Sequence, residues 1–342
     1  AQETMVTIGA RVLSGALSPG DLGEVHTALG DVVVDRLLPR VHAALAERHG
    51  RTPSDKVAIV ALGKFGSREM TATSDLDLML LYDDEVLAPS DGPKSLFAQE
   101  YYIRLTQRLV AALSAPTTKG SIYEVDFRLR PSGNKGPIAT SLKSFVDYQL
   151  TEAETWERMA LARARVVSAT PGFGAIVERA IRDAVCRPVD PTKVRKDAVE
   201  MRALMARERP AANDWDLKLA SGGQVDVEFI AQTLVLLHGA THPAIAPGGT
   251  IRILEASRAA GILDAGTTGD LVAASRLYDT ITQLARLCLA DPYDPASAPK
   301  GLVRLLCAAA DVPDARRLAT LVAERRASTR AAFESLLGVA RR

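Results

Sequence analysis

The sequence predicts an α+β fold: a small α/β domain over residues 1–170, then an all-helical bundle over residues 171–342. Three observations lead there. At 342 residues the chain exceeds what one hydrophobic core usually organises, and 47% apolar residues suffice to fill two. Strand-like runs are confined to residues 57–131. Elsewhere apolar residues recur every three or four positions, with no fixed-period repeat and no low-complexity stretch.

The elements follow in order. Residues 1–50 have helical spacing, as in VVVDRLLPRVHAALAERHG, and RTPSD closes the segment as a polar linker. VAIVAL (57–62) is a short β-branched strand, GKFGS (63–67) a turn, REM (68–70) the start of a short helix, and LDLMLLY (76–82) a second strand. Between Ser95 and Ser114, Tyr102, Leu105, Leu109 and Leu113 mark an amphipathic helix, with Ser95 as its expected cap. IYEVDFRLRP (122–131) alternates as a third strand and stops at Pro131. From about Phe145 the spacing is helical throughout, with Val227, Ile230, Leu234 and Leu237 as one stripe and Leu277, Ile281, Leu284 and Cys288 as another.

Composition excludes several classes. Lys plus Arg (42) nearly cancel Asp plus Glu (41), so there is no broad cationic field for nucleic acid, and any anion site must be local. Cys186, Cys288 and Cys307 are too few and too scattered for a disulfide framework or a zinc site, and read as core packing in a reducing cytosol. No apolar run approaches the roughly 20 residues of a membrane span, and no signal peptide opens the chain, so a soluble cytoplasmic protein is expected. A first residue of Ala1 suggests a fragment of something longer.

The second strand carries what a strand usually avoids, Asp75 and Asp77 at its leading edge. Two apart, they share one face, while Leu76, Leu78 and Leu80 share the other. On the third strand Asp126, Arg128 and Arg130 again share a face, opposite Val125, Phe127 and Leu129. Placed side by side, the strands would bring three carboxylates and two guanidiniums to one surface. Three such carboxylates repel unless a divalent cation sits among them, and an all-oxygen set suits Mg²⁺ or Mn²⁺. A lone D-x-D would be an ordinary loop end. The glycine turn before it makes the difference: Gly63 and Gly66 allow close backbone approach, Lys64 adds charge and Ser67 a hydroxyl, and amides opening a helix after Gly66 would face an anion. The longer Walker spacing is absent, so the turn is not a P-loop.

GS followed by D-x-D, with a third aspartate on a neighbouring strand, resembles the nucleotidyltransferase superfamily. GKFGSREMTATSDLDLMLLYD, YEVDFRLRPSGNKGPIATS, WERMALARARVV and GGQVDVEFIAQ together resemble the glutamine synthetase adenylyltransferase family, from about Val57 to His238. YEVDFRLRPSGNKGP with TWERMALARARVV resembles the C-terminal, AMP-attaching half of those bifunctional enzymes. The resemblance implies a mixed-sheet nucleotidyltransferase domain and transfer of AMP from ATP to a tyrosine hydroxyl of glutamine synthetase by a two-metal mechanism. Asp75, Asp77 and Asp126 would be the catalytic and metal-binding set. Gly63, Lys64, Gly66, Ser67, Ser74, Arg128 and Arg130 would hold the nucleotide, with Lys135 a further cation. Ser67 stands where the family usually has a second glycine. Two roles stay open for Asp126, metal ligand or proton acceptor, and Arg128 and Arg130 could equally be structural partners of Asp126. The family is regulated by a PII signalling protein, which is expected as a partner.

Other readings compete. Phosphorolytic removal of AMP would use the same carboxylates, a non-catalytic nucleotide-binding module would keep the turn, and transfer onto RNA is disfavoured by the balanced charge. In SGGQVDVEFIAQ, Asp226 and Glu228 either serve the helix dipole or, with Lys218, close over the nucleotide. His26, His42, His49, His238 and His242 show no metal or triad spacing and most read as surface or satisfied core residues; Arg163 and Arg165 either reach the cleft or form a solvated pair on a helix, the commoner case.

Overall fold

The structure is a computed structural model that describes residues 2–117, 120–121, 123–289 and 293–338. Two units emerge. One holds residues up to Met5, Glu24–Met70 and Ser74–Val185, and the other Val6–Gly23, Thr71–Thr73 and residues from Cys186 on. The first unit therefore runs to Val185 rather than to residue 170, because the helix that follows its last strand packs back on the sheet.

The first two helices are α1 (Gln2–Leu13) and α2 (Leu22–His49). Then come β1 (Val57–Ala61), α3 (Gly63–Ser67), β2 (Leu76–Tyr82) and α4 (Ala98–Leu113). A small antiparallel ribbon, β3 (Pro116–Thr117) with β4 (Gly120–Ser121), leads to β5 (Val125–Asp126) and β6 (Ala139–Ser141). The unit closes with α5 (Leu142–Thr151), α6 (Thr155–Leu161), β7 (Arg165–Ala169) and α7 (Phe173–Val185). The sheet order is β5-β2-β1-β7, with β6 also on β2. β1 is antiparallel to β2 and β7, whereas β2 is parallel to β5 and β6, so the sheet is mixed.

Alternation on β2 works as expected on one side. Leu76, Leu78 and Leu80 join Val34, Leu38 and Leu45 of α2 and Tyr101, Tyr102, Leu105 and Leu109 of α4 in one core. The other side is more apolar than alternation implies. Met79 and Leu81 are also buried, with α5 reaching β2 and α7 reaching β1 and β7. Asp77 therefore lies where a strand covered on both faces opens at its N-terminal end.

Three local expectations change. The third strand shortens to Val125–Asp126, because the Asp126 carboxylate accepts the Arg128 amide at 2.7 Å and turns the chain, so Arg128 and Arg130 do not continue a strand face. Ile122 lies outside the described residues. Arg165–Ala169, read as helix, is strand β7, where a β-branched pair fits a pleated surface better than a helix. Ser95 does not cap α4, whose N-cap is Phe97 with no side-chain bond.

In the second unit the described elements after Cys186 are helices: α8 (Pro191–Glu208), α9 (Gln224–His238), α10 (Thr250–Ala259), α11 (Ala265–Cys288), α12 (Lys300–Ala309) and α13 (Ala315–Leu337). α9 is buried almost all round, from Gln224 to Leu236, and meets α8, α10, α11 and α13. On α11 the buried stripe runs through Leu271, Ala274, Tyr278, Ile281 and Leu284. Leu277 is only half-buried and Cys288 is exposed, so of the three cysteines read as core only Cys307 is buried. No helix among the described residues is long and apolar enough to cross a membrane.

Burial has a measurable consequence for the tyrosines. It pushes the phenols of Tyr82, Tyr101, Tyr123 and Tyr278 up to about 12 from 10.0. A raised folded-state pKa stabilises fully below the unfolded value near 10 and is lost as pH rises through the folded one. We expect stability to fall between pH 10 and 12, with phenolate absorbance at 295 nm from these residues delayed toward pH 12 for as long as the protein stays folded. Titration of all the tyrosines near pH 10 in folded protein would contradict this burial.

Candidate active site

The site grows from the connection between β1 and β2. The Leu62 amide donates to the Asp77 carbonyl at 2.9 Å, which holds the end of β1 against the start of β2. Gly63 then takes a φ of 53°, and a Cβ there would overlap the Asp77 carboxylate. Only glycine leaves room for that acid. The segment 63–67 is one turn of helix rather than an open loop, and Arg68 ends it in the left-handed region with φ 65°. The expected helix after Gly66 is thus absent, and the Gly66 amide already donates to the Leu62 carbonyl at 2.7 Å. Gly66 is a packing glycine: a Cβ would overlap the Arg163 carbonyl and lie 2.7 Å from that of Ala61. We expect Gly66→Ala to lose about 2–3 kcal/mol of stability through overpacking, read by chemical denaturation. A wild-type midpoint would show that the turn relaxes freely.

The acids come together across two strands. β2 and β5 are parallel and in register at Leu76 with Val125 and at Asp77 with Asp126, and the Leu76 amide donates to the Glu124 carbonyl at 2.9 Å. Asp75, one residue before β2, is exposed, and Asp77 and Asp126 are half-buried. The Asp126 carboxylate also accepts the Arg128 guanidinium, at 2.7 Å from Nε. Burial pushes this carboxyl up, but the hydrogen bonds from the Arg128 side chain and amide outweigh it and leave it below its usual value. Arg128 in turn is held more firmly protonated by its bonds to Asp126, with the charges of Asp77 and Asp75 adding to them. Arg128 is therefore a cation bonded to Asp126 whose charge Asp75 and Asp77 also feel.

The remaining candidates separate. Arg130 donates to the carbonyls of Phe127, Gly136 and Pro137, at 2.6 Å for Phe127 and 2.9 Å for Pro137, and so clamps its own loop. Lys135 is exposed on a single 3-10 turn, Gly133–Lys135. Lys64 and Ser74 are half-buried near the acids in sequence. Ser67 is buried, and its hydroxyl faces inward to Glu69 at 2.8 Å and receives Arg163 at 2.7 Å. Among the described residues no three acids or histidines stand close enough to grip one metal ion as they are. The donor chemistry still fits a hard divalent cation, since the converging groups are carboxylates and already attract a guanidinium.

Residues outside the expected set also matter. Arg163 and Arg165 are not a solvated helical pair: Arg163 is buried in the turn after α6, and Arg165 opens β7. Their two-residue spacing ahead of Val166 and Val167 was the available signal, a strand entering rather than a helix continuing. Glu69 has no sequence mark at all. In the second unit Asp226 is fully buried, accepting Arg202 and, at 2.8 Å, the Gly222 amide, which makes it a structural anion of α9. Lys218 is exposed and Glu228 half-buried. His26, His42 and His49 are all buried. His42 lies 3.2 Å from Asp55 and His49 2.6 Å from the Lys94 carbonyl, but neither ring nitrogen of His26 has a hydrogen-bond partner among the described residues, so there it is not a satisfied core histidine.

A small mixed sheet whose central strand carries Asp77, with Asp75 just ahead of it and a glycine connection beside it, is consistent with a nucleotidyltransferase-like domain. The family model described as glutamate-ammonia ligase adenylyltransferase matches residues 1–180. The chain belongs to this family. It is 45% identical over 341 residues to the bifunctional glutamine synthetase adenylyltransferase/adenylyl-removing enzyme of Bradyrhizobium diazoefficiens, covering 98% of the chain and 34% of that protein. The similarly named proteins of Brucella suis and Rhizobium meliloti are 45% and 44% identical over 99% of the chain, which covers 34% and 35% of them. The chain thus spans about a third of the length of the curated relatives it matches.

Proposed function

We propose that this chain transfers AMP from ATP to a tyrosine hydroxyl of glutamine synthetase. The observation that carries the reading is the parallel register of Asp77 with Asp126, with Asp77 seated against Gly63. Family membership supplies the substrate class. Asp75 and Asp77, with Asp126 once Arg128 moves aside, would hold Mg²⁺ or Mn²⁺, which supplies charge neutralisation at the triphosphate and favours the phenolate of the incoming tyrosine. A free phenol, with a pKa of about 10, is otherwise almost wholly protonated at neutral pH. Asp126, at the register position of Asp77, joins it as a ligand or takes the tyrosine proton. The backbone of Gly63–Ser67 and the Lys64 ammonium lie along the phosphates. Arg128, displaced from Asp126, balances charge on the departing pyrophosphate. Arg130 is assigned to holding the loop.

The wider parts of the proposal follow the same line. A PII signalling protein is the regulatory partner, the helices from Cys186 on form an all-helical second domain, and the free thiols of Cys186, Cys288 and Cys307 suit the cytoplasm. Attachment is favoured over removal of AMP by the YEVDFRLRPSGNKGP block. Incubation with α-labelled ATP, Mg²⁺ and glutamine synthetase tests the reading. Label on a substrate tyrosine supports it, phosphate-dependent loss of label from modified glutamine synthetase assigns the reverse reaction, and ATP binding without turnover assigns a regulatory module.

A further inference from the structure

We propose that Arg163 is a positioning residue: with Glu69 it brackets Ser67 from beneath, fixing the 63–67 turn and, through Gly63, the seat of Asp77 for nucleotide. This rests on the adenylyl-transfer reading above. The three side chains bond one another, and Ser67 Oγ also lies 3.2 Å from the Gly63 carbonyl. One guanidinium nitrogen of Arg163 donates to Ser67 Oγ and to Glu69 Oε2, both at 2.7 Å, and Ser67 Oγ donates to the same Glu69 oxygen at 2.8 Å. The pair is well covered, with side chains 8% and 15% exposed for Arg163 and Glu69.

The chain at 163–165 touches three successive residues of the turn. Arg165 donates to the Phe65 carbonyl at 3.1 Å and places its guanidinium 5.1 Å over the Phe65 ring. The Arg163 carbonyl abuts Gly66, and the Arg163 side chain takes Ser67. A helix of five residues has no stability of its own, so its placement is set by these contacts. At its other end Gly63 has no room for a Cβ beside the Asp77 carboxylate, so a shift of the turn moves the backbone that lines the acid. The Ser67 hydroxyl, directed inward, holds the turn from below and leaves the backbone to meet phosphate.

A charged bracket is a poor device for stability alone. Replacing a buried ion pair by apolar side chains of similar volume is often neutral or stabilising, whereas removing one partner is not. What Arg163 and Glu69 supply that two methionines would not is direction: hydrogen bonds that set where Ser67 sits.

The test uses the whole chain with Arg163→Met combined with Glu69→Met, with Glu69→Gln alone as the milder variant, and with Ser67→Ala placed in the wild-type and double-Met backgrounds. Melting temperature, Kd for MgATP from a fluorescent analogue, and the split of KM against kcat are read together. We expect the double-Met chain to melt close to wild type but to bind MgATP about tenfold more weakly, and Glu69→Gln about threefold more weakly. Ser67→Ala should weaken binding in the wild-type chain and change nothing further in the double-Met chain. Wild-type Kd and KM in folded double-Met or Glu69→Gln protein would overturn the bracket, as would fully additive losses from Ser67→Ala, which would mean that the hydroxyl touches nucleotide independently. Failure of the unaltered chain to bind MgATP would instead overturn the adenylyl-transfer reading, and this inference with it.

Discussion

Asparagine at position 75 or 77 should abolish adenylyl transfer, lowering turnover roughly 10³-fold or more, while the chain still folds. The two side chains differ in setting but share a task. Asp75 is exposed just ahead of β2, and Asp77 is half-buried against Gly63. Both add to the charge felt by Arg128. Clustered carboxylates are kept for function against their mutual repulsion, so neutralising one should leave the melting temperature unchanged or slightly raised. Labelled-ATP turnover and a thermal melt, made on the same preparations, check both halves of the expectation. Unchanged turnover in either variant would remove the acids from the reaction. A collapse of the melt would make them structural.

The second large effect lies in the other unit and has the opposite character. Asp226→Ala should lower stability by about 3–5 kcal/mol, because it strands the Arg202 guanidinium in the interior. Asp226 is fully buried between Arg202 and Arg330, the latter at 3.5 Å, and its second oxygen receives the Gly222 amide at 2.8 Å. Arg202 also donates to the Leu219 and Ala220 carbonyls, so the acid knits α8, α9 and the turn between them. Denaturant unfolding followed by circular dichroism would show the loss. A midpoint within about 0.5 kcal/mol of wild type would mean that the guanidinium finds water or another acid instead.

Much of the site was readable from local pattern. The β-branched run at 57–62 and the apolar run at 76–82 are the two central strands, and the period of a strand placed Asp77 opposite Leu76, Leu78 and Leu80. The glycine at 63 was expected to let the backbone approach a bound anion; the group it makes room for in the structure is the Asp77 carboxylate. Other readings failed where a side chain overrode the pattern. Alternation in IYEVDFRLRP promised a long strand, but the Asp126 carboxylate captured the Arg128 amide and turned the chain after two residues. The arginines of ALARARVV sit two apart, a strand's period, inside a stretch read as helix. Burial against Glu69 and Ser67, and pairing of β7 with β1, are non-local events that no window of sequence contains.

The two central strands, the helices α2 and α4 and the acids at the leading edge of β2 follow from residue type and spacing, because they depend on neighbours a few positions away. Which acid meets which, that Ser67 faces inward to an arginine nearly a hundred residues later, and that the first unit ends at Val185 depend on contacts between distant segments. Those were settled by packing, where the cost of an unpaired buried charge or an overlapping Cβ selects one arrangement among many that the local pattern allows.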